Sequence, residues 1–262
     1  MMRNARQDGF TLIEMVLGIA ILGMIGLGVM TLLRGAGDSA SEAAINTKQA
    51  AELRNAMAII QRDVGQADKP LLAVGDRDAT GVYSINSTTA FGGGNEIIFT
   101  RSEDRRGSAS PEYHAERIFF DDEGTNDGRG SVVLQTRRLT SQEMDMLDPE
   151  AVKDDPSTPG DDGAAEAQTF QAQMRDPSVW NDQPQRVLVS KAVISSSEKL
   201  FTFYQRAGVP TVNPGRVALV DVNLRRDEDA EKPKFQPATL KTSVFLRNIG
   251  TRQTGNGSPI NC

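Results

Sequence analysis

The chain has 262 residues, 38% of them hydrophobic, and a formal net charge of -6 from 29 Lys+Arg against 35 Asp+Glu. That apolar share builds one sizeable core or two small ones, and the acidic balance argues against a general nucleic-acid binder, which needs a surplus of Lys and Arg on some face. One histidine (His114) and one cysteine (Cys262) supply no four-ligand zinc site, no intrachain disulfide and no adjacent Cys–His catalytic pair.

The start of the chain carries the strongest signal. Residues 15 to 33, MVLGIAILGMIGLGVMTLL, hold no charge and only Thr31 as a polar side chain. As a helix they rise roughly 28 Å, close to the ~30 Å hydrocarbon core of a bilayer. Gly18, Gly23, Gly26 and Gly28 would weaken a helix in water, but in lipid they are tolerated and permit close helix–helix approach. Arg34 follows directly, with no small-residue cleavage pattern of an ordinary signal peptide before it. Arg3 and Arg6, against the one acid Asp8, make residues 1–9 basic. The expected orientation therefore leaves this end in the cytoplasm and exports the rest. Glu14 lies among apolar neighbours in GFTLIEMVLG. A carboxylate at the bilayer edge is costly, so either it reaches water or it has a partner.

Gly9-Phe10-Thr11-Leu12-Ile13-Glu14, behind a short basic leader and ahead of a spanning helix, resembles the processing site of type IV pilin-like proteins. The resemblance implies leader cleavage by a prepilin peptidase between Gly9 and Phe10 and N-methylation of the new Phe10 terminus. It also implies a role for Glu14 in subunit assembly, as partner of a neighbouring subunit's Phe10 amine. The implied fold is α+β, a long N-terminal helix whose first half is transmembrane, packed on an antiparallel β-sheet domain.

Residues 34–38, RGAGD, read as a membrane exit with a loosened turn, with Asp38 or Ser39 capping the next helical stretch. Leu53, Met57, Ile60 and Val64 then recur at spacings of four, three and four, so one helical stripe is apolar. The helix is expected to end near residues 65–68, before Lys69-Pro70. The expected organisation is a leader at 1–9, a transmembrane half-helix at 10–34, an amphipathic half-helix at 35–68 and a β-rich domain at 69–262. From residue 70 the pattern turns to period two. Strands are expected over 81–86, 96–101, 116–121, 131–139, 187–194, 200–206, 217–224 and 240–247, with no long helix between them, which argues for antiparallel pairing. The stretch 140–185 contains VKDDPSTPGDDGAAEA, a composition that buries little, and is expected to be a flexible insertion in which Trp180 docks. Residues 250–262 form a polar tail.

The order of these strands resembles the J-type minor pseudopilins of type II secretion, and also the W-type minor pilins of type IV pili. The first resemblance implies a structural subunit at the tip of a periplasmic pseudopilus, anchored by a single pass in the inner membrane. Its implied partners are I- and K-type minor pseudopilins, the major pseudopilin, the prepilin peptidase and the inner-membrane assembly platform. The second implies a minor pilin working in assembly, adhesion, motility or DNA uptake. A membrane-anchored periplasmic enzyme or binding domain is the reading from another class. It needs a catalytic constellation, and the sequence has no G-x-S-x-G, Walker loop or H-E-x-x-H, so no enzyme activity, cofactor or metal is expected. The acidic loop 121–128 fails the EF-hand pattern counted from Glu123, with Thr125 third and Leu134 twelfth. It reads as a solvated hairpin turn around Asp127-Gly128, with calcium as the alternative. His114 reads as a surface or hydrogen-bonded structural residue, and Cys262 as an incidental thiol or a link to another chain.

The charge asymmetry predicts the topology. A reporter that works only in the periplasm, fused after Ile249, is expected to be active. Activity from a reporter that works only in the cytoplasm would reverse the orientation.

Overall fold

The computed structural model describes residues 11–67, 72–77, 83–84, 93–103, 112–122, 124, 128–140, 142–143, 170, 172–194, 198–206, 208–211, 217–227 and 238–246. The chain divides into two compact units, Met1–Lys48 and Gln49–Cys262. One helix, α1, runs from Leu12 to Gly65. The exit turn expected at 34–38 does not form, since Gly35 to Ser39 are all helical. Ser39 and Ser41 do not cap a helix. Their hydroxyls donate back to the carbonyls of Gly35 (2.9 Å) and Asp38 (2.8 Å), which satisfies them inside a continuing helix. The end falls where expected: the Gln66 amide donates to Arg62 O and Asp63 O, and the chain leaves the helix.

The second unit is built on β1 (Ala73–Arg77), β2 (Tyr83–Ser84), β3 (Gly93–Gly94), β4 (Glu96–Glu103), β5 (Glu112–Asp121), β6 (Arg129–Arg138), β7 (Gln185–Val193), β8 (Phe201–Tyr204), β9 (Leu219–Arg226) and β10 (Ala238–Phe245). Every pairing between them is antiparallel. The order is β2-β1-β4-β5-β6-β7-β9-β8-β3, with β10 on β9. The sheet curls until β3, at one end of this path, meets β1 near the other end. Gly94 of β3 comes so close to Gly75 of β1 that a Cβ on Gly94 would run into the Gly75 backbone, and Gly75 itself has φ 140°. Only glycine fits both demands.

The expected strand at 81–86 is described only as Tyr83–Ser84. β1 and β3 escaped the sequence reading because each is short and glycine-bearing, so neither shows alternation. β4 was expected to alternate but is buried at five consecutive positions, 96–100. Both of its faces are covered, and a doubly covered strand loses its period-two signal.

One face packs on residues 49–65 of α1. Leu53, Met57, Ile60 and Val64 sit against Ile97, Phe99, Ile118, Val132, Val220, Val222 and Leu224 in one core. Glu52 adds a polar anchor: Ser190 N and Oγ of β7 donate to its Oε1 at 2.8 and 2.9 Å, and buried Arg226 of β9 pairs with its Oε2 at 2.6 Å. This anchor lies where β7 and β9 join through the single pair Ala192↔Arg226.

The other face is covered by part of the stretch expected to bury little. Phe170, Met174 and Trp180 pack with Leu72, Ile98, Ala115 and Leu139 in a second core. Trp180 closes a 3-10 turn, Pro177–Trp180, which Asp176 caps by accepting from Ser178 N. Its indole Nε1 donates to Met174 O at 2.8 Å. Below it, Arg117 pairs with Glu96 and donates to Gln135 Oε1 at 3.0 Å, while Gln135 Nε2 donates to Trp180 O at 3.3 Å. The Asp-, Pro- and Gly-rich composition belongs to residues 152–167, which lie outside the described residues. It does not extend to 170–180, where aromatic and apolar side chains return. Cys262 and the polar tail also lie outside the described residues.

Trp180 therefore holds the second core. Trp180→Ala is expected to lower stability by about 3–5 kcal/mol in chemical denaturation of the detergent-extracted chain. A loss under about 1 kcal/mol would mean that this segment is not integral to the sheet.

Candidate functional site: the start of α1 and the apolar segment behind it

Gly9 and Phe10, the expected cleavage and methylation residues, lie outside the described residues. Glu14 is described, and its position is specific. Thr11 N and Thr11 Oγ1 both donate to Glu14 Oε2 at 3.0 Å, and the Glu14 amide donates back to Thr11 Oγ1 at 3.4 Å. This is a capping box, in which the residue before the helix and the third residue inside it satisfy each other's free amides. The backbone closes at the same place, with Glu14 N and Met15 N donating to Thr11 O at 3.1 and 3.2 Å. The signal is present in the sequence as Thr11-x-x-Glu14 before an apolar run, which the reading of Glu14 as a lone charge does not contain. The same pattern recurs at Thr140 and Glu143 with the same three hydrogen bonds.

The capping box answers in part how a carboxylate is tolerated among apolar residues. Glu14 accepts from two donors of its own chain through one oxygen. Among the described residues Oε1 has no hydrogen-bond partner, while Oε2 is held by Thr11.

Behind this start, the apolar side chains of α1 are exposed. Leu12, Leu22, Met24 and Leu32 are each more than 70% exposed, and the first buried residue of the helix is Gln49. An 18-residue window in α1 has a mean hydropathy of 2.5 with none of it buried. A helix apolar on all sides and covered by nothing suits a lipid solvent. Polar groups in it are satisfied internally, as where Thr31 Oγ1 donates to Leu27 O at 2.8 Å.

In the second unit, His114 differs from expectation. Its side chain is 15% exposed, and neither ring nitrogen has a hydrogen-bond partner among the described residues. Glu103 and Glu112 stand 3.9 and 4.0 Å from Nε2. Burial, the largest influence, holds its pKa below the ordinary histidine value despite these carboxylates. At the acidic loop, Asp122 Oδ1 accepts from Gly124 N at 3.0 Å, and Gly124 and Gly128 have φ of 75° and 76°. These residues lie in the connection between the paired strands β5 and β6, and the two positive φ values suit glycine. Asp127 lies outside the described residues.

Residues 4–30 match the family model described as the prokaryotic N-terminal methylation motif, a stretch that contains Gly9, Phe10 and Glu14. No curated protein and no solved structure matches the chain. The motif indicates a type IV pilin-like protein, of a pilus or a pseudopilus, and the exposed apolar helix fits membrane anchoring.

The capping box makes Thr11 the residue that orders the first turn. Thr11→Val keeps the shape and removes the hydroxyl, and is expected to cost about 1 kcal/mol locally. In detergent micelles the Glu14 amide should then exchange about fivefold faster. An unchanged rate would show that the box carries no weight.

Proposed function

We propose that this type IV pilin-like protein is a minor pseudopilin of a type II secretion system: a structural subunit at the tip of a short periplasmic filament that supports protein export, and not an enzyme. The observation that carries the reading is the methylation motif over residues 4–30, set directly before an exposed apolar helical segment. On this reading a prepilin peptidase removes residues 1–9 and Phe10 becomes the methylated terminus. The apolar part of α1 stays in the inner membrane until the assembly platform passes the subunit into the filament. The β-rich unit lies in the periplasm and binds the I- and K-type minor pseudopilins, with the major pseudopilin following below.

Glu14 has a clear part in this scheme. Its Oε2 is held by its own Thr11, which leaves Oε1 to accept the Phe10 ammonium of a neighbouring subunit. In a low-dielectric helix bundle each charge offsets the other's desolvation, and the pair fixes axial register. The motif serves a minor pilin of a type IV pilus equally well, and the strand order read from the sequence resembles both kinds of subunit. Secretin and secretion ATPase genes beside this one support secretion, and twitching or adhesin genes support a pilus.

Glu14→Ala is the sharper test. Loss of one partner of a buried pair costs on the order of 3–5 kcal/mol, enough to disfavour incorporation several-hundredfold. Normal cleavage and membrane insertion are expected, with the variant failing to co-purify with its neighbours in cross-linked filaments. Wild-type incorporation and secretion would remove the pairing role.

A further inference from the structure

The end of α1 meets the sheet through a charged cluster that the filament reading does not use. Asp63 is buried, its side chain 1% exposed. Arg62 beside it donates to both carboxylate oxygens, Nε to Oδ1 at 2.7 Å and Nη2 to Oδ2 at 3.2 Å. Arg101 of β4 reaches the same Oδ1 with Nη1 at 3.3 Å and turns Nη2 to Glu116 Oε1 of β5 at 2.9 Å. One guanidinium is thus shared between two buried carboxylates. Glu116 Oε2 is also buried and has no hydrogen-bond partner among the described residues. An ionised carboxylate with one oxygen orphaned, next to a second negative charge, is an expensive arrangement. A proton on that oxygen relieves it.

We propose that Glu116 is the proton-binding element of a latch that seats the last turns of α1, residues 60–65, on β4 and β5. With the proton on, Glu116 is neutral and Asp63 keeps both arginines, so the helix end stays seated. With the proton off, the second buried charge competes with Asp63 for Arg101, and the helix end opens more often. Ile60 and Val64 flank Asp63 on the same stripe and belong to the core, so opening here works directly against the packing of α1 on the sheet.

The surroundings set the direction. From α1, Glu116 faces Arg62 and Asp63, and from β4 it faces Arg101, with Glu103 two residues beyond. On β5, Glu112 and His114 precede it, and β6 contributes Arg138, opposite His114. Burial first, and Asp63 second, outweigh the arginines and push the Glu116 carboxyl up from 4.5 to about 7. An opened helix end returns it towards the ordinary value. The seated form therefore holds the extra proton between these two values. Seating is tightest at acid pH, weakens as pH rises through the window and levels off above about 7. His114, held below its ordinary value by burial, works in the opposite direction.

Amide hydrogen exchange on the full chain in detergent reads the latch. Protection at residues 60–65, corrected for the intrinsic pH dependence of exchange, is expected to fall by about tenfold per pH unit from about pH 5 to 7. Glu116→Gln imitates the protonated carboxyl and should remove this slope, and because His114 is untouched the difference isolates Glu116. Asp63→Asn, which takes away the neighbouring negative charge, should move the levelling point to lower pH. If Glu116→Gln does not fold, the wild type and Asp63→Asn still decide. No slope in the wild type, the same slope in Glu116→Gln, or an unmoved levelling point in Asp63→Asn would overturn the latch.

Discussion

The globular unit depends on the seam between residues 49–65 of α1 and one face of the curled sheet. Leu53, Met57, Ile60 and Val64 fill that face, and each is at most 4% exposed. The helix cannot bury this stripe alone, and the sheet face, lined by Ile97, Phe99, Ile118 and Val222, cannot stay in water. Each element makes the other's exposure unnecessary. The polar contacts are placed around this seam. Glu52 ties it to Ser190 and Arg226 near its start, and Asp63 ties it to Arg101 near its end. These ion pairs add orientation to a contact whose main stabilisation is apolar burial.

The other constraint is solvent. Residues 12–33 of α1 present Leu, Ile, Met and Val on every side with none of them buried, residues 34–48 are mostly small or polar, and those from 49 onward carry a single apolar stripe. A helix with both patterns serves two environments, and the sequence states this openly. A charge-free run of that length has few other uses in a chain with ordinary apolar content elsewhere. The match to the methylation motif falls on this same region, so its chemistry and its solvent preference point to one function. Glu14 connects them. A carboxylate at the start of an apolar helix is held through one oxygen by Thr11, and its other oxygen has no partner among the described residues.

Much of the fold was legible because its signals are local. The stripe at 53, 57, 60 and 64 gave the packed part of α1 and its end, and the strands expected at 116–121, 131–139 and 217–224 form as Glu112–Asp121, Arg129–Arg138 and Leu219–Arg226, their β-branched and aromatic runs giving the strand but not its bounds. Three features were not legible, for separate reasons. The helix runs through Gly35 and Gly37 because two glycines only weaken a helix and Ser39 and Ser41 bond back into it. β1 and β3 exist because the sheet closes on itself at Gly75 and Gly94, a contact between distant residues that short segments do not display. Trp180 docks as expected, but the rest of the second core was hidden because Phe170 and Met174 follow an Asp-, Pro- and Gly-rich run with little to bury. At the candidate site, Glu14 was found by its cost among apolar neighbours, and its Thr11 partner was missed although the capping pattern is written in the sequence.

The pilin-like reading, the pairing of Glu14 and the release of the apolar helix into a filament all require one particular mature amino terminus. Intact-mass measurement and terminal sequencing of the membrane-extracted protein address it directly. The account predicts a chain that begins at Phe10 and carries one added methyl group on its amine. A chain that retains residues 1–9, or one cut at any other position, would contradict it.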